Sequence, residues 1–350
     1  METEMKKLIL GTSAIVAAST LAASPTLAAE KIKLGLSGYL QTSFVVADYD
    51  TGDQLPTDIR HEGEVHFTGE TTLDNGLTFG VNIQLEARES SDQVDETYMY
   101  VSGAFGRINV GSENAASYLM HYASPSPVIA WGLNDPNAEA GGFETPATSA
   151  NEISDADKIS YFTPRFSGFQ FGVSYTPDGD EETGTASPYS PIADEGAEDE
   201  GYSVGANYTG KLGSVELNAS LGYDLITRTS SDDTDEISTG FNVGIAGFTL
   251  GAGYKYTDND SGTDDRERHD YNVGVSYGQG PWSVGIQYAG IDLDNAADGH
   301  LDAFVVGGNY ILGPGITAFG GVQYFSGEDA LVGSEGEDAT IFFVGTALTF

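Results

Sequence analysis

Short stretches in which apolar and polar residues alternate recur along most of the chain. The clearest runs from Leu77 to Arg88, with six apolar residues on one face and six small or polar residues on the other. A two-residue period is that of a β-strand, and roughly 9 to 11 such residues cross the hydrocarbon of a membrane. One strand of this kind fits a soluble sandwich equally well. The decision therefore depends on how often the pattern repeats.

About sixteen such strands are predicted, and their second face is small and polar nearly everywhere. A soluble sandwich fills its interior with apolar side chains, whereas this pattern suits a water-filled lumen. Tight turns alternate with longer acidic connections, and Tyr often ends an apolar series, which is typical of an aromatic girdle. The predicted fold class is all-β, a transmembrane antiparallel barrel. The predicted strands lie near 31–47, 59–73, 77–89, 94–103, 106–112, 157–164, 168–176, 201–210, 213–226, 235–245, 247–257, 268–278, 281–291, 301–312, 315–326 and 338–350.

The alternation is interrupted by one segment, Glu113 to Asp157. We call this segment the insertion. It has 45 residues, no strand period, and neither Lys nor Arg. Loops of this length without secondary structure are uncommon inside a compact domain, and many of them carry a function. We therefore expect the insertion to fold inward and narrow a pore. Its seven acids are Glu113, Asp135, Glu139, Glu144, Glu152, Asp155 and Asp157.

Composition narrows the range of partners. The 350 residues include no Cys, which excludes disulfide scaffolds and thiolate metal sites. The formal charge is −39, from 14 basic and 53 acidic residues. Nucleic acid is therefore not a partner, because phosphate binding needs basic patches. Such acidity favours cations as partners, although much of it is expected to be solvated loop charge.

The first 28 residues have the pattern of a signal peptide. Lys6 and Lys7 precede an apolar stretch, residues 8–22, and small residues follow, with cleavage expected after Ala28 or Ala29. Cleavage removes two acids and two lysines, so the charge stays at −39. No later apolar run approaches the roughly 20 residues of a membrane helix. Residues 29–350 are thus predicted to form one exported barrel domain, closed when the last strand, ending at Phe350, pairs with the first.

The chain contains four distinctive motifs: Thr71 to Gly80, Ser102 to Gly111, Lys158 to Phe169, and Gly345 to Phe350. They resemble motifs of Gram-negative outer-membrane general porins of the alphaproteobacterial type. The resemblance implies a sixteen-stranded homotrimer surrounded by outer-membrane lipid and lipopolysaccharide, which passes ions and small hydrophilic solutes by passive diffusion. It also implies that Gly345, Leu348 and Phe350 form the signal read by the barrel-assembly machinery.

The same resemblance implies that the insertion is the constriction loop, with acids facing a basic cluster on the opposite wall. Two positions of that wall cluster are Glu62 and Glu64 here. The pore is thus expected to be acidic on both sides and to prefer cations. The loop candidates are Asp135, Glu139, Glu144, Glu152 and Asp155, and the wall candidates are Arg60, Glu62, Glu64, His66, Glu86, Arg88 and Arg107.

Other chemistry is weakly indicated. The five histidines show no metal-ligand spacing, and the segment Asp258 to Asp265 lacks the bidentate Glu of a calcium loop. No cofactor is predicted, and weak divalent-cation binding by acidic loops is the alternative left open. Rival functions are a substrate-specific channel, a soluble adhesin, and a barrel enzyme, for which no triad signature appears. The predicted fourth strand is apolar on both faces, which we interpret as a subunit contact.

Overall fold

The computed structural model describes residues 31–50, 56–87, 93–134, 143–179, 198–229, 232–260, 265–294, 299–328, 331 and 338–350. The predicted signal peptide, residues 1–28, lies outside these ranges. No helix in the described ranges is long and apolar enough to cross a membrane. The elements are β1 (Gly35–Tyr49), β2 (Thr57–Thr72), β3 (Thr78–Glu86), β4 (Val94–Gly103), β5 (Gly106–Ser112), α1 (Ala116–Leu119), β6 (Asp157–Phe162), β7 (Phe169–Thr176), β8 (Glu198–Leu212), β9 (Val215–Arg228), β10 (Thr234–Ile245), β11 (Phe248–Asp260), β12 (Asp265–Gln279), β13 (Trp282–Asp294), β14 (Gly299–Gly313), β15 (Ile316–Gly327) and β16 (Asp338–Thr349).

The sixteen strands form one closed barrel in which every strand pairs antiparallel with its neighbours in the chain. β1 pairs with β16 from Tyr39 opposite Thr349 to Tyr49 opposite Ala339. Beyond that ladder, Gly38 and Phe350 exchange two main-chain hydrogen bonds of 2.9 and 3.0 Å. Closure leaves no unpaired edge, as a sheet in hydrocarbon requires. The predicted fold class is confirmed.

Several of the observed strands extend further than predicted, mainly at the end of the barrel that carries the long loops. β8 begins at Glu198 and β9 ends at Arg228, two or three residues beyond the apolar alternation. β11 to β14 lengthen in the same direction. Outside the hydrocarbon a hairpin needs only its hydrogen-bond ladder, so the pairing continues through acidic residues that carry no apolar signal.

The outer surface is apolar and carries aromatic side chains toward both ends of the strands. Along β7, Phe169, Phe171, Val173 and Tyr175 are all exposed. At the turn end rings pack on rings, for example those of Trp282 and Tyr310, whose centroids lie 4.3 Å apart. At the loop end tyrosine hydroxyls donate to carboxylates: Tyr175 and Tyr202 to Glu200, Tyr223 to Asp235, Tyr288 to Asp302, and Tyr324 to Asp338. This suits rings with an apolar body and a polar tip at a membrane interface.

The inner surface departs from the expected polarity on one side. Across β13 to β16, large apolar side chains point inward and are buried against the insertion. Elsewhere the inner face is mostly small and polar, apart from residues such as Phe162 of β6 and Ile226 of β9. Across β13 to β16 the expectation is wrong. The reason is that the insertion, rather than water, covers this part of the wall. The wall residues are Ile291, Leu301, Val305, Phe319, Phe325, Ile341 and Phe343, and the insertion supplies Val128, Trp131, Leu133 and Phe143.

Deleting Phe350 is expected to impair assembly, because the deletion removes both hydrogen bonds that Phe350 exchanges with Gly38. Each unmade main-chain bond in a membrane costs several kcal/mol. The fraction of chains that migrate as folded, heat-modifiable barrels in gels should fall well below half of the wild-type fraction. Phe350→Tyr keeps the main-chain bonds and the ring, and should assemble normally. Equal yields for the deletion and this control would contradict the prediction.

Candidate functional site

The insertion lies inside the barrel, and side chains of the wall provide its hydrogen-bond partners. It has almost no secondary structure, so its backbone N–H groups need acceptors. Polar side chains that point inward from β7 to β14 provide them at 2.8 to 2.9 Å. The pairs, N–H residue first, are Ala116 with Ser174, Ser117 with Ser203, Tyr122 with Ser220, Ser124 with Asn272, Ile129 with Asn309, and Leu133 with Gln287.

Trp131 anchors the part of the insertion that lies furthest from its two ends, which we call its far part. Its ring stacks on Phe343 of β16, with centroids 4.4 Å apart and planes within 7°. The guanidinium carbon of Arg60 on β2 lies 5.8 Å from the same ring, and Gln323 donates to the Trp131 carbonyl at 3.0 Å. The insertion thus follows the inner wall from β7 round to β16. Val45 of β1 also packs in the inner apolar cluster, so the inward face of β2 to β5 forms the opposite side of the passage.

Apart from Asp157, which is exposed at the start of β6, the acids of the insertion that the structure describes contact wall cations or are buried. Arg228 of β9 pairs with Glu152 at 2.6 Å, and Arg268 of β12 pairs with Glu144. Asp155 is buried. The candidates Asp135 and Glu139 lie outside the described residues.

Glu113, at the start of the insertion, is also buried. Burial raises the pKa of the Glu113 carboxyl above its ordinary value, although the Asn109 hydrogen bond and the charges of Arg107 and Lys158 oppose that shift. Burial and the nearby Glu236 likewise raise the pKa of Glu152, against the effect of Arg228. Desolvation thus outweighs favourable pairing at both carboxyls.

The opposite wall carries a cluster of five carboxylates, called the acidic wall: Glu62, Glu64, Glu86, Asp95 and Glu96. One oxygen each from Glu64, Glu86 and Asp95 lie within 4.8 Å of one another. Hydrogen bonds hold the other two: Tyr39 donates to Glu62, and Gln84 and Asn114 donate to Glu96. The sequence reading missed Asp95 and Glu96. Glu96 has the inward parity of its strand, which could have identified it.

Basic and aromatic wall residues are arranged around this cluster. His66 Nε2 lies 2.8 Å from Glu64, whereas Arg60 is turned toward Trp131. The guanidinium carbon of Arg107 lies 3.8 Å from the ring centroid of Tyr100 and 6.0 Å from that of Tyr98. These inward contacts account for the second apolar face of β4. Arg88 lies outside the described residues.

The residue pattern and the fold agree with a known family. Residues 11–330 match the family described as Gram-negative porin. The chain belongs to this family. It is therefore an outer-membrane pore through which solutes pass by passive diffusion.

Individual relatives of this porin are distant but cover most of its length. It is 24% identical to a monosaccharide porin of Halomonas sp. over 93% of this chain and 96% of that protein. It is 22% identical to a chitoporin of Vibrio furnissii over 85% of this chain and 86% of that protein.

Solved structures share the fold at lower identity. An anion-selective porin from Comamonas acidovorans superposes with a TM-score of 0.63 at 18% identity, over 91% of this chain and 100% of that chain. The trimer form of OmpT from Vibrio cholerae gives 0.62 at 12% identity, over 92% and 100%. At these identities the likeness shows the barrel fold.

Arg268→Gln is expected to destabilise the barrel by about 3 kcal/mol, because it leaves the fully buried Asp270 without its 2.7 Å cation partner. The estimate is at the low end for a buried pair, since a quarter of the Arg268 side chain is exposed. Urea unfolding of the refolded protein measures the change. Lys211→Met breaks an exposed pair with Glu216 and should cost under about 1 kcal/mol. Similar losses in the two variants would contradict the prediction.

Proposed function

We propose that this porin is a cation-preferring pore for ions and small hydrophilic solutes, and that the acidic wall sets the preference. The observation that carries the proposal is the convergence of Glu64, Glu86 and Asp95 within 4.8 Å on the side of the lumen opposite the insertion. Arg60 and Arg107, the described basic candidates of this wall, are directed at aromatic rings. These two guanidinium groups keep their charge, but the five carboxylates of the acidic wall outnumber them, so negative charge dominates this side.

The physical effect is local enrichment of cations. A monovalent cation about 4 Å from one carboxylate in water gains about 1 kcal/mol, which is roughly a fivefold rise in local concentration. Several carboxylates act together in a narrow pore, whereas salt weakens the effect beyond about 10 Å at 0.1 M. Wall charge of this kind lowers the barrier for cations and raises it for anions.

The acids of the insertion contribute less in this proposal than the acidic wall does. Glu144 and Glu152 each face an arginine, which offsets part of their charge toward a passing ion, although each arginine also pairs with a second carboxylate. Asp135, Glu139 and Asp155 remain predicted constriction residues. The ionic current is thus expected to depend more on the wall than on Glu144 or Glu152.

Partners are proposed from the family and the surface. We infer a homotrimer in lipid and lipopolysaccharide, inserted by the barrel-assembly machinery through Gly345, Leu348 and Phe350. The trimer form of the similar OmpT barrel supports this inference. The outward Met99 of β4, 66% exposed, is the residue on which the subunit-contact prediction rests. Weak divalent-cation binding by acidic loops stays a prediction.

A substrate-specific sugar channel is the second candidate. Two relatives are named for sugars, and Tyr98 and Tyr100 place aromatic rings on the lumen wall, where rings can pack on the apolar faces of sugars. A specific channel would show concentration-dependent block of its ion current by low millimolar glucose or chitooligosaccharide. A general pore, which we expect, would show no such block.

The cation preference is tested by reversal potentials in a KCl gradient across planar bilayers. Glu64→Gln should lower the potassium-to-chloride permeability ratio by roughly two- to fivefold, because it removes one lumen charge. Glu144→Gln should change the ratio less, because Arg268 already offsets part of the Glu144 charge in the wild type.

Glu200→Gln is the matched control, since Glu200 lies on the outer surface bonded to Tyr175 and Tyr202. The same chemical change there should leave the ratio at its wild-type value. Anion preference in the wild-type pore, or equal effects of Glu64→Gln and Glu200→Gln, would overturn the proposal.

A further inference from the structure

Lys158 lies at the neck of the insertion, where the chain leaves and re-enters the barrel wall. It is the second residue of β6, directly opposite Gly111 of β5 in the ladder. Its neighbour Ile159 is exposed on the outer surface, so Lys158 points inward, where only 4% of it is exposed. A lysine in this position is unusual, because burying an ammonium group is costly unless it is well hydrogen-bonded.

The ammonium group of Lys158 joins the two ends of the insertion. Its Nζ donates to the main-chain carbonyl of Glu113, the first residue of the insertion. It also donates to the carbonyls of Ser154, at 2.9 Å, and Ala156, close to the last residue. An ammonium group has three N–H donors, and these three carbonyls match that number. The nearby Glu113 carboxylate, itself buried, adds an opposite charge.

One residue that Lys158 contacts has a strained backbone conformation. Ser154 has a φ of 44°, in the left-handed region that non-glycine residues seldom occupy. Such a conformation persists only when its surroundings determine it. The Lys158 bond to the Ser154 carbonyl is one of the contacts that do so. At the far part of the insertion Ala130 has a φ of 65° beside the anchored Trp131, so a strained residue marks each fixed point.

We propose that Lys158 is a positioning residue that clamps the two ends of the insertion together and so keeps the constriction at one width. It contacts no solute and acts through the insertion. Wall side chains hold the middle of the insertion, and Trp131 holds its far part, but Lys158 bridges its entry and exit. The inference concerns the steadiness of the pore and does not depend on its ion preference.

Without the ammonium group, the three carbonyls lose a shared donor. The β5–β6 ladder still pairs Ser112 with Asp157, but residue 113 and residues 154–156 beside it become free to shift. The insertion then moves between its bound position and positions that obstruct the lumen. The expected result is a current that steps between open and closed levels. Closed-state occupancy at a fixed voltage should rise about tenfold, the effect of losing one or two net hydrogen bonds.

Single-channel recording of Lys158→Met beside Lys211→Met tests the clamp. Lys211 is an exposed lysine near a turn and pairs with Glu216 at 2.7 Å, so the control loses the same charge away from the insertion. Lys158→Met should show the roughly tenfold rise, and Lys211→Met should match the wild type. Equal closed-state occupancy in the two variants would overturn the proposal.

Two further variants distinguish loss of the clamp from a general loss of stability and from failure to fold. Lys158→Arg retains charge and several donors, and should return the occupancy toward the wild-type value, which a general loss of stability would not do. If Lys158→Met yields no folded barrel, Lys158→Gln, which has two donors on a shorter side chain, replaces it in the same comparison. Wild-type gating of Lys158→Gln would then overturn the proposal. Reversal potentials recorded on the same channels report separately on the cation preference.

Discussion

The structure depends on one constraint: every backbone polar group must be hydrogen-bonded where water is scarce. The barrel wall meets this constraint by closing, so that the last strand pairs with the first. The insertion cannot meet it alone, because it has no ladder of its own. It lies against inward serines, asparagines and glutamines that accept its N–H groups, such as Ser174 and Asn309. The polar inner wall thus lines a pore and also binds the loop that narrows it.

A second consequence is that the acids divide into two groups. On the side covered by the insertion, several buried acids pair with cations, as Glu236 does with Lys255 and Asp270 with Arg268. Burial makes such pairing necessary, because an isolated buried charge is costly. On the uncovered side, wall carboxylates can stay close together where pore water screens them. The excess of acids therefore acts on passing ions mainly from one side of the lumen.

The inner apolar cluster follows from the same arrangement. Where the insertion covers β13 to β16, water is excluded, and Phe319, Phe325 and Phe343 pack on Trp131 and Phe143. A barrel of this type therefore contains a small core inside its lumen. That core and the clamp at Lys158 fix the insertion at opposite points.

Much of the fold could be read from the sequence, because strand alternation is a local property. The sixteen strands, the outward parity of residues such as Val173 and the inward parity of Glu62 and Glu64 all follow from a period of two. The length and composition of the insertion were enough to predict its inward fold.

The pairing of charges could not be predicted from the sequence. Glu152 and Arg228, for example, are 76 residues apart and meet only inside the closed barrel. Three features were decided by the tertiary structure alone: Glu144 and Glu152 face arginines, Asp95 joins Glu64 and Glu86, and Lys158 bridges the neck. Each of these contacts depends on where distant segments of the chain meet in the closed barrel.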